Sequence, residues 1–428
     1  MQRLECAVQH YAWGKKGQNS TVCGLIKENY ETIHQKKIDT EKPYAELWMG
    51  THPNAPSKVQ PSSELLSSFL KSQVSNYFSS EEISEFFQSR GYEYASLPYL
   101  FKVLSVNQAL SIQAHPDEQL AQKLFKSDPE HYKDPYHKPE LCCALTNFEA
   151  LCAFQKLETI ISNITQVPEF QSLLKSQNQE LVEHVISLTE QDIAKLSAEE
   201  RKSLLQKLFH ALMTSSKSQV ETHLPNLINR LNQNETRSSL ENLILRLYSD
   251  YANDIGCFSV FFLNYITLKP GEGLFLGPNE PHAYLSGDCI ECMASSDNVV
   301  RAGLTPKFID TETLVQMLTY DDGALAKMKC NGEKLNDFET LYAPPVSEFK
   351  VQKIVLPKQY DKYQWTTNSI SIAIVLEGKG LINNEKFVKG DVVLLPFNAT
   401  PEIENVDSNN DQMVVFVAST NIANISVK

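Results

Sequence analysis

Hydrophobic positions in the middle of the chain repeat with helical spacing. No glycine occurs between Gly91 and Gly256, and apolar residues from about 153 to 256 recur three or four positions apart, as on one face of a helix. One such stripe comprises Leu204, Leu205, Leu208, Phe209 and Leu212. Ser197 and Glu200 precede it with the spacing of a capping box. This region predicts helices that cover a hydrophobic core and carry no cofactor.

After residue 256 the hydrophobic pattern becomes typical of strands. Residues 258–268 are rich in aromatic and β-branched side chains and end at Pro270 and Gly271. Residues 370–376 and 390–396 form two further apolar runs that end at glycine or proline. Short strands between glycine and proline turns are typical of β-sandwiches and barrels.

These patterns predict a mainly β protein with an inserted helical domain. A chain of 428 residues exceeds the roughly 250–300 residues that one hydrophobic core supports, so two or three domains are expected. We predict a catalytic β domain from residues 1–152 together with 257–325. Residues 153–256 form the helical insert, and residues 326–428 form a C-terminal β domain.

Composition limits the possible partners. The formal net charge of −13 excludes a general nucleic-acid or anionic-membrane binder, because those partners need a basic face. A small phosphate held by a few local cations remains compatible with this charge. The first residues lack an apolar leader, and no apolar stretch is long enough to span a bilayer. The nine cysteines are odd in number and irregularly spaced, so we expect reduced thiols in a cytosolic protein.

Two short segments carry side chains of the types that bind metals. Gln113 and His115 are two residues apart, so on a strand they face the same side. On its own such a pair is more often structural. His137, Lys138 and Glu140 follow, and Pro139 favours an extended Lys138 that points away from His137. Glu140 offers a carboxylate that zinc accepts, although a solvated turn is the simpler interpretation of this segment alone.

A third segment leads from a glycine-rich turn to a single histidine. Residues 271–284 contain this turn, a short apolar run and His282. The arrangement resembles the second motif of the cupin superfamily, in which the histidine is a metal ligand. Asp297, Arg301 and Lys307 follow downstream and supply one acid and two cations.

Seven strings of the sequence, in the same order, resemble the motifs of type I phosphomannose isomerases. They are YAWG at 11–14, PYAELWMGTHP at 43–53, LPYLFKVL at 97–104, QAHPD at 113–117, HKPE at 137–140, PHAYLSGD at 281–288 and SDNVVRAGLTP at 296–306. The resemblance implies two cupin-like jelly-roll β-barrels with an inserted helical domain. It also implies a zinc-dependent isomerase that interconverts mannose 6-phosphate and fructose 6-phosphate, which supplies mannose for GDP-mannose and glycosylation.

The resemblance also implies the residues of the site. One zinc per chain is expected on Gln113, His115, Glu140 and His282. The residues expected around the sugar phosphate or the reacting carbons are Lys102, Ser111, Lys138, Arg301 and Lys307. Tyr284 and Trp13 are further candidates for the pocket, although core packing is the simpler role for Trp13.

The reaction requires a proton to move between C1 and C2 through an enediol, so a side chain with a tuned pKa must carry it. His137 and Glu291 are both candidates, and the sequence does not choose between them. Asp297 or Lys138 can assist ring opening.

Two other functions are compatible with parts of the pattern. One is a non-catalytic zinc-cupin protein that binds sugar phosphates, which the retained His137, Lys138 and Arg301 argue against. The other is an iron cupin oxygenase, which Gln113 disfavours because that class uses histidine-rich ligand sets. We expect a monomer that binds a small sugar phosphate and neither nucleic acid nor membrane.

Overall fold

The computed structural model describes residues 1–33, 37–407 and 411–427. Its first part is a β region with short helices at its edge. The strands are β1 Gln2–Glu5, β2 Ala7–Gln9, β3 Glu46–Met49, β4 Lys58–Val59, β5 Glu64–Leu65, β6 Tyr99–Val106, β7 Ile112–Ala114, β8 Glu140–Ala144 and β9 Phe148–Phe154. The helices are α1 Thr21–Ile33, α2 Leu66–Ser72, α3 Val74–Tyr77, α4 Ser80–Glu82 and α5 Glu118–Ser127, with helical turns at Gly17–Asn19 and Ile83–Ser89.

Seven helices follow β9 and form the inserted region. They are α6 Leu157–Gln166, α7 Pro168–Lys175, α8 Gln179–Ser187, α9 Glu190–Lys195, α10 Ala198–Met213, α11 Lys217–Gln233 and α12 Ser239–Asp250. The capping box predicted at the start of α10 is confirmed, because Ser197 Oγ accepts from the Glu200 backbone N–H and Glu200 accepts from that of Ser197. Phe209 of α10 packs edge-to-face on Phe154 of β9, with ring centroids 5.2 Å apart. The helices and the neighbouring sheet therefore share one core.

The chain then returns to the first β region and completes its sheet. The added elements are α13 Gly256–Ser259, β10 Leu263–Leu268, β11 Gly273–Leu276, β12 His282–Ala294, β13 Val300–Gly303, α14 Thr311–Met317 and α15 Leu325–Met328. The strand pattern predicted from residue 258 is wrong in its first half, because Phe258 lies in α13. Phe258 and Phe261 stack on Phe170 of α7, and a short apolar run does not by itself distinguish a buried helix from a strand.

The long strand β12 organises this ten-stranded sheet. It pairs antiparallel with β6, β7, β8 and β9. The register places Glu291 opposite Lys102 of β6 and His282 opposite Gln113 of β7. Side chains that are directly opposite lie on the same face of a sheet, so this strand brings distant segments to one surface.

The C-terminal region is a second β unit. Its strands are β14 Glu333–Lys334, β15 Glu339–Tyr342, β16 Lys350–Pro357, β17 Lys362–Gln364, β18 Ser371–Glu377, β19 Lys379–Ile382, β20 Glu385–Val388, β21 Val392–Leu395, β22 Glu402–Asn405 and β23 Gln412–Ser419, followed by a helical turn at Ile422–Val427. β17, β22, β19 and β20 form a four-stranded sheet. The predicted mainly β architecture with an α insert is confirmed, and none of the described helices combines the length and apolarity needed to cross a membrane.

The two β units share a sheet. β1 from the start of the chain pairs with β21, and β4 and β5 continue the same nine-stranded sheet. The Tyr99 hydroxyl, at the start of β6, donates to the backbone oxygen of Ala418 in β23 at 3.2 Å. The backbone N–H of Ile370, just before β18, donates to the buried Glu82 carboxylate at 3.3 Å.

A glycine at the contact between α1 and the C-terminal unit offers a test of this packing. Gly390 has φ +91°, and an added Cβ would collide with the backbone carbonyl of Leu25 in α1. We expect Gly390→Ala to lower the free energy of unfolding by about 2–5 kcal/mol, from left-handed strain together with overpacking. Gly91 is the matched control, because its φ is +72° and nothing lies within 4 Å of an added Cβ.

Urea denaturation of both variants measures the difference. Gly91→Ala should cost only the left-handed strain of about 1–2 kcal/mol. Equal losses in the two variants would contradict close packing of α1 on the C-terminal unit.

Candidate metal centre and active site

Three buried ligand-type side chains converge between the ends of three strands. His115 directly follows β7, Glu140 begins β8 and His282 begins β12. His115 Nε2 lies 3.2 Å from Glu140 Oε1, and His282 Nε2 lies 3.5 Å from Glu140 Oε2. One ligand atom from each residue lies within 4.8 Å of the other two, and all three side chains are almost fully buried.

Each of these residues is next to a proline. Because proline has no N–H to donate to a β-ladder, it marks the end of paired strand. The three neighbours are Pro116, Pro139 and Pro281. The sequence thereby places the ligand-type side chains at strand ends, where they face a common space.

Backbone carbonyls fix the orientation of both imidazoles. His115 Nδ1 lies 2.8 Å from the Asn298 carbonyl oxygen, and His282 Nδ1 lies 3.0 Å from that of Glu280. Donation from Nδ1 leaves the Nε2 lone pair available, which is the arrangement that metal-binding histidines adopt. The two Nε2 atoms and Glu140 Oε2 have no hydrogen-bond partner within the described structure. Because buried polar atoms without partners are costly, a bound cation fits these three residues.

The charge states suit a cation as well. Burial lowers the pKa of His115 to about 4, so its imidazole is neutral at pH 7. Burial alone would raise the pKa of Glu140, but its neighbours, the charged Lys138 among them, hold it well below its usual value. A neutral imidazole beside a carboxylate is the protonation state that metal ligation requires.

Gln113 and Arg301 extend the row that begins at His282. Gln113 lies opposite His282 on one side and opposite Arg301 of β13 on the other. The three side chains therefore share one face of the sheet. Ser111 lies half-buried immediately before β7.

Arg301 is half-buried and forms no ion pair with any residue that the structure describes. Burial lowers the pKa of Arg301, so an anion in contact would stabilise the guanidinium. A cavity of about 120 Å³ lies beside it. Its lining includes Lys307, His131, Tyr132, Phe308 and Asp310.

A second cation, Lys102, is deeply buried among carboxylates. Lys102 Nζ lies 3.0 Å from Glu291 and 3.6 Å from Glu46, and 5.0 Å from the centre of the Trp48 ring. Burial would lower the pKa of Lys102, but Glu291 and Glu46 raise it above its usual value. Burial also raises the pKa of Glu291 against the opposing effect of Lys102, and Glu140 raises it further.

Two aromatic candidates have different environments. Tyr284 is buried two residues after His282, and its hydroxyl has no hydrogen-bond partner among the described residues. Trp13 is half-buried, stacks on Tyr11 with ring centroids 5.7 Å apart, and packs against the cluster that includes Leu104.

His137 and Lys138 contact different parts of the structure, as expected if they diverge. Lys138 Nζ lies 3.5 Å from Glu140 Oε1, within the convergent cluster. His137 Nε2 instead lies 2.8 Å from Glu348 Oε1, a residue of the C-terminal unit. The structure therefore brings Lys138 to the ligand cluster and His137 to Glu348.

Asp297 has an exposed side chain. Its Oδ1 lies 3.3 Å from His52 Nε2, and Asn54 donates to Oδ2 at 3.3 Å. The hydrogen bond from His52 lowers the pKa of Asp297. Asp297 is thus an ionised carboxylate next to an imidazole.

Several residues around the site were not identified from the sequence. Glu46, Trp48 and Asn298 lie within the strings that resemble the isomerase motifs, and these strings were the available signal. Glu348 lies outside all of them, and only the fold brings it near.

Comparison with known proteins agrees with this geometry. Family models of the phosphomannose isomerase type I catalytic domain and helical insertion domain match residues 1–157 and 173–263. Human mannose-6-phosphate isomerase is 42% identical over 388 residues, which cover 88% of this chain and 87% of that protein. The Cryptococcus neoformans mannose-6-phosphate isomerase is 41% identical over 422 residues, covering 94% and 95%.

Solved structures extend the similarity to the fold. A zinc-bound mannose 6-phosphate isomerase is 27% identical, with a TM-score of 0.74 over 98% of this chain and 99% of that one. The enzyme from Salmonella typhimurium bound to its substrate and zinc has a TM-score of 0.73 at the same identity and coverage. These similarities confirm the predicted cupin-like architecture with its helical insert. On this evidence, the chain belongs to the type I phosphomannose isomerase family.

Proposed function

We propose that this protein interconverts mannose 6-phosphate and fructose 6-phosphate with one zinc ion per chain. The observation that carries the proposal is the set of three buried ligand atoms without partners on His115, Glu140 and His282. We further propose that it acts as a cytosolic monomer and supplies mannose for GDP-mannose and glycosylation. The alternative of a non-catalytic sugar-phosphate binder is disfavoured, because the relatives in the comparison are named as isomerases.

The residues that would hold zinc are His115, Glu140 and His282, with Gln113 as the fourth ligand. Two imidazoles, a carboxylate and an amide oxygen are donors that zinc accepts. When bound, zinc supplies Lewis acidity that polarises an oxygen of the sugar.

The phosphate group needs cations that are not already neutralised. Arg301 meets this requirement, and Lys307 lines the cavity beside it. The guanidinium fork donates to two oxygens at once, which suits a phosphate or an enediolate. Ser111, two residues before Gln113, and the buried Tyr284, two residues after His282, are the proposed hydroxyl groups of the site.

Glu291 is the better candidate for the proton transfer between C1 and C2. Its raised pKa brings the carboxyl nearer to neutral pH, as efficient general acid–base catalysis requires. Lys102 holds its carboxylate at 3.0 Å and stabilises the ionised form. His137 is a weaker candidate, because its Nε2 is engaged by Glu348. Lys138 and Asp297 remain available for ring opening.

Zinc binding gives the first test of this proposal. His282→Ala removes one of three buried ligands, so purified protein should lose most of its zinc and its isomerase activity. Metal analysis and a mannose 6-phosphate assay on the same sample measure both. His184→Ala, on an exposed position of α8, is the matched control and should keep its zinc. Undiminished zinc in His282→Ala would remove this residue from the metal site.

Arg301 gives the second test. Arg301→Lys keeps the charge but cannot form the bidentate fork, so kcat/KM should fall about ten- to over a hundredfold, equivalent to ~1.5–3 kcal/mol. A rise in KM alone indicates phosphate binding, whereas a fall in kcat indicates stabilisation of the enediolate. Arg230→Lys, which pairs with Glu169 in the helical region, should leave both parameters unchanged. Full activity in Arg301→Lys would exclude Arg301 from the site.

A further inference from the structure

Three separate parts of the chain meet at one buried carboxylate, Glu348, two residues before β16. Its side chain is 1% exposed. Glu348 Oε1 accepts from His137 Nε2 at 2.8 Å and also from the guanidinium of Arg90, which follows the helical turn Ile83–Ser89. Arg90 Nε in turn lies 2.9 Å from Glu85.

This carboxylate is ionised at neutral pH. Burial alone would raise the pKa of Glu348, but the hydrogen bond from His137 and the charge of Arg90 lower it to about 2. Hydrogen bonds to a buried charge are stronger and shorter than those between neutral groups. The contact between His137 and Glu348 therefore fixes the position of the imidazole.

The fixed imidazole adjoins a residue of the candidate site. His137 contacts Glu348, whereas the next residue, Lys138, reaches Glu140 Oε1 with its Nζ at 3.5 Å. Pro139 has a restricted φ, so the segment between His137 and Glu140 has few ways to turn. A displacement of His137 is therefore transmitted to Lys138.

We infer that Glu348 is a positioning residue of the isomerase site, and that it acts through His137 to fix the direction in which Lys138 enters the site. The C-terminal β unit thus supplies a group on which the geometry of the catalytic region depends. This inference rests on the proposed isomerase function.

A double-mutant cycle tests whether Glu348 acts through His137. Glu348→Ala and His137→Ala should each lower kcat by about ten- to a hundredfold, because a small misplacement of a catalytic group is costly. KM should change by less than about twofold, since uniform substrate binding is retained. The double variant should be no slower than the slower single variant, because both changes remove the same contact. Zinc content should match that of the unaltered protein.

Two further variants separate positioning from general loosening. Glu348→Gln keeps an oxygen that accepts from His137 Nε2 and should recover most of kcat. Glu85→Ala removes the other carboxylate on Arg90 while leaving the contact between His137 and Glu348, and should keep full activity. The pH profile of kcat should keep its shape in every variant, because Glu291, the group proposed for proton transfer, is retained. A changed profile in His137→Ala would show that His137 itself transfers a proton, which would overturn a purely positioning role.

Several results would overturn the inference. They are full kcat in folded, zinc-loaded Glu348→Ala, additive losses in the double variant, an equal loss in Glu85→Ala, and a changed pH profile. If Glu348→Ala does not fold, His137→Ala is the deciding variant, because Arg90 still pairs with Glu348 in it. Full kcat in His137→Ala would then overturn the inferred role of Glu348. An unaltered protein inactive on mannose 6-phosphate would instead refute the proposed function.

Discussion

The register of β12 is the constraint on which the rest of the site depends. This one strand carries His282 at its first residue and Glu291 nine residues later, and it pairs with four neighbouring strands. A shift by one residue would turn both side chains to the opposite face. Gln113, Lys102 and Glu140 would keep their orientation but lose His282 and Glu291 from their face of the sheet, and Lys102 would retain only Glu46 as a carboxylate partner. The hydrophobic side chains on the other face of β12 hold the register, so the packing of the core also fixes the geometry of the site.

Charge placement follows from the same arrangement. An acidic chain buries Lys102 only where two carboxylates compensate it, because an unpaired buried charge is strongly destabilising. Arg301 lacks such compensation within the described structure and borders a cavity. The difference separates a cation that pairs with carboxylates inside the protein from one that lies half-buried beside a cavity without an ion-pair partner. The proposed binding of a sugar phosphate at Arg301 is therefore compatible with a net charge of −13.

Much of this was accessible from the sequence, and the reasons for the rest are physical. The capping box at Ser197 and the divergence of His137 and Lys138 depend on local spacing, so they could be predicted. The start of the strand after Gly256 could not, because aromatic packing against the helices outweighed the strand propensity of Phe258. The role of Glu348 depends on a contact 211 residues along the chain from His137, which no local pattern encodes. The proposed domain limits stay predictions. Because strands of both β units join one sheet, the sheet does not mark where one domain ends and the next begins.

The pairing of β1 with β21 has a consequence for biosynthesis. Residues near the amino terminus leave the ribosome first, yet their partner strand, beginning at Val392, follows almost 400 residues later. β4 can cover one edge of β1 soon after β1 is made, but the edge that faces β21 has no partner strand until then, and such an edge is prone to pair with other chains. A nascent chain of this protein is therefore expected to need protection at β1 until β21 has been synthesised, and a transcript truncated before β21 is expected to give an aggregation-prone polypeptide.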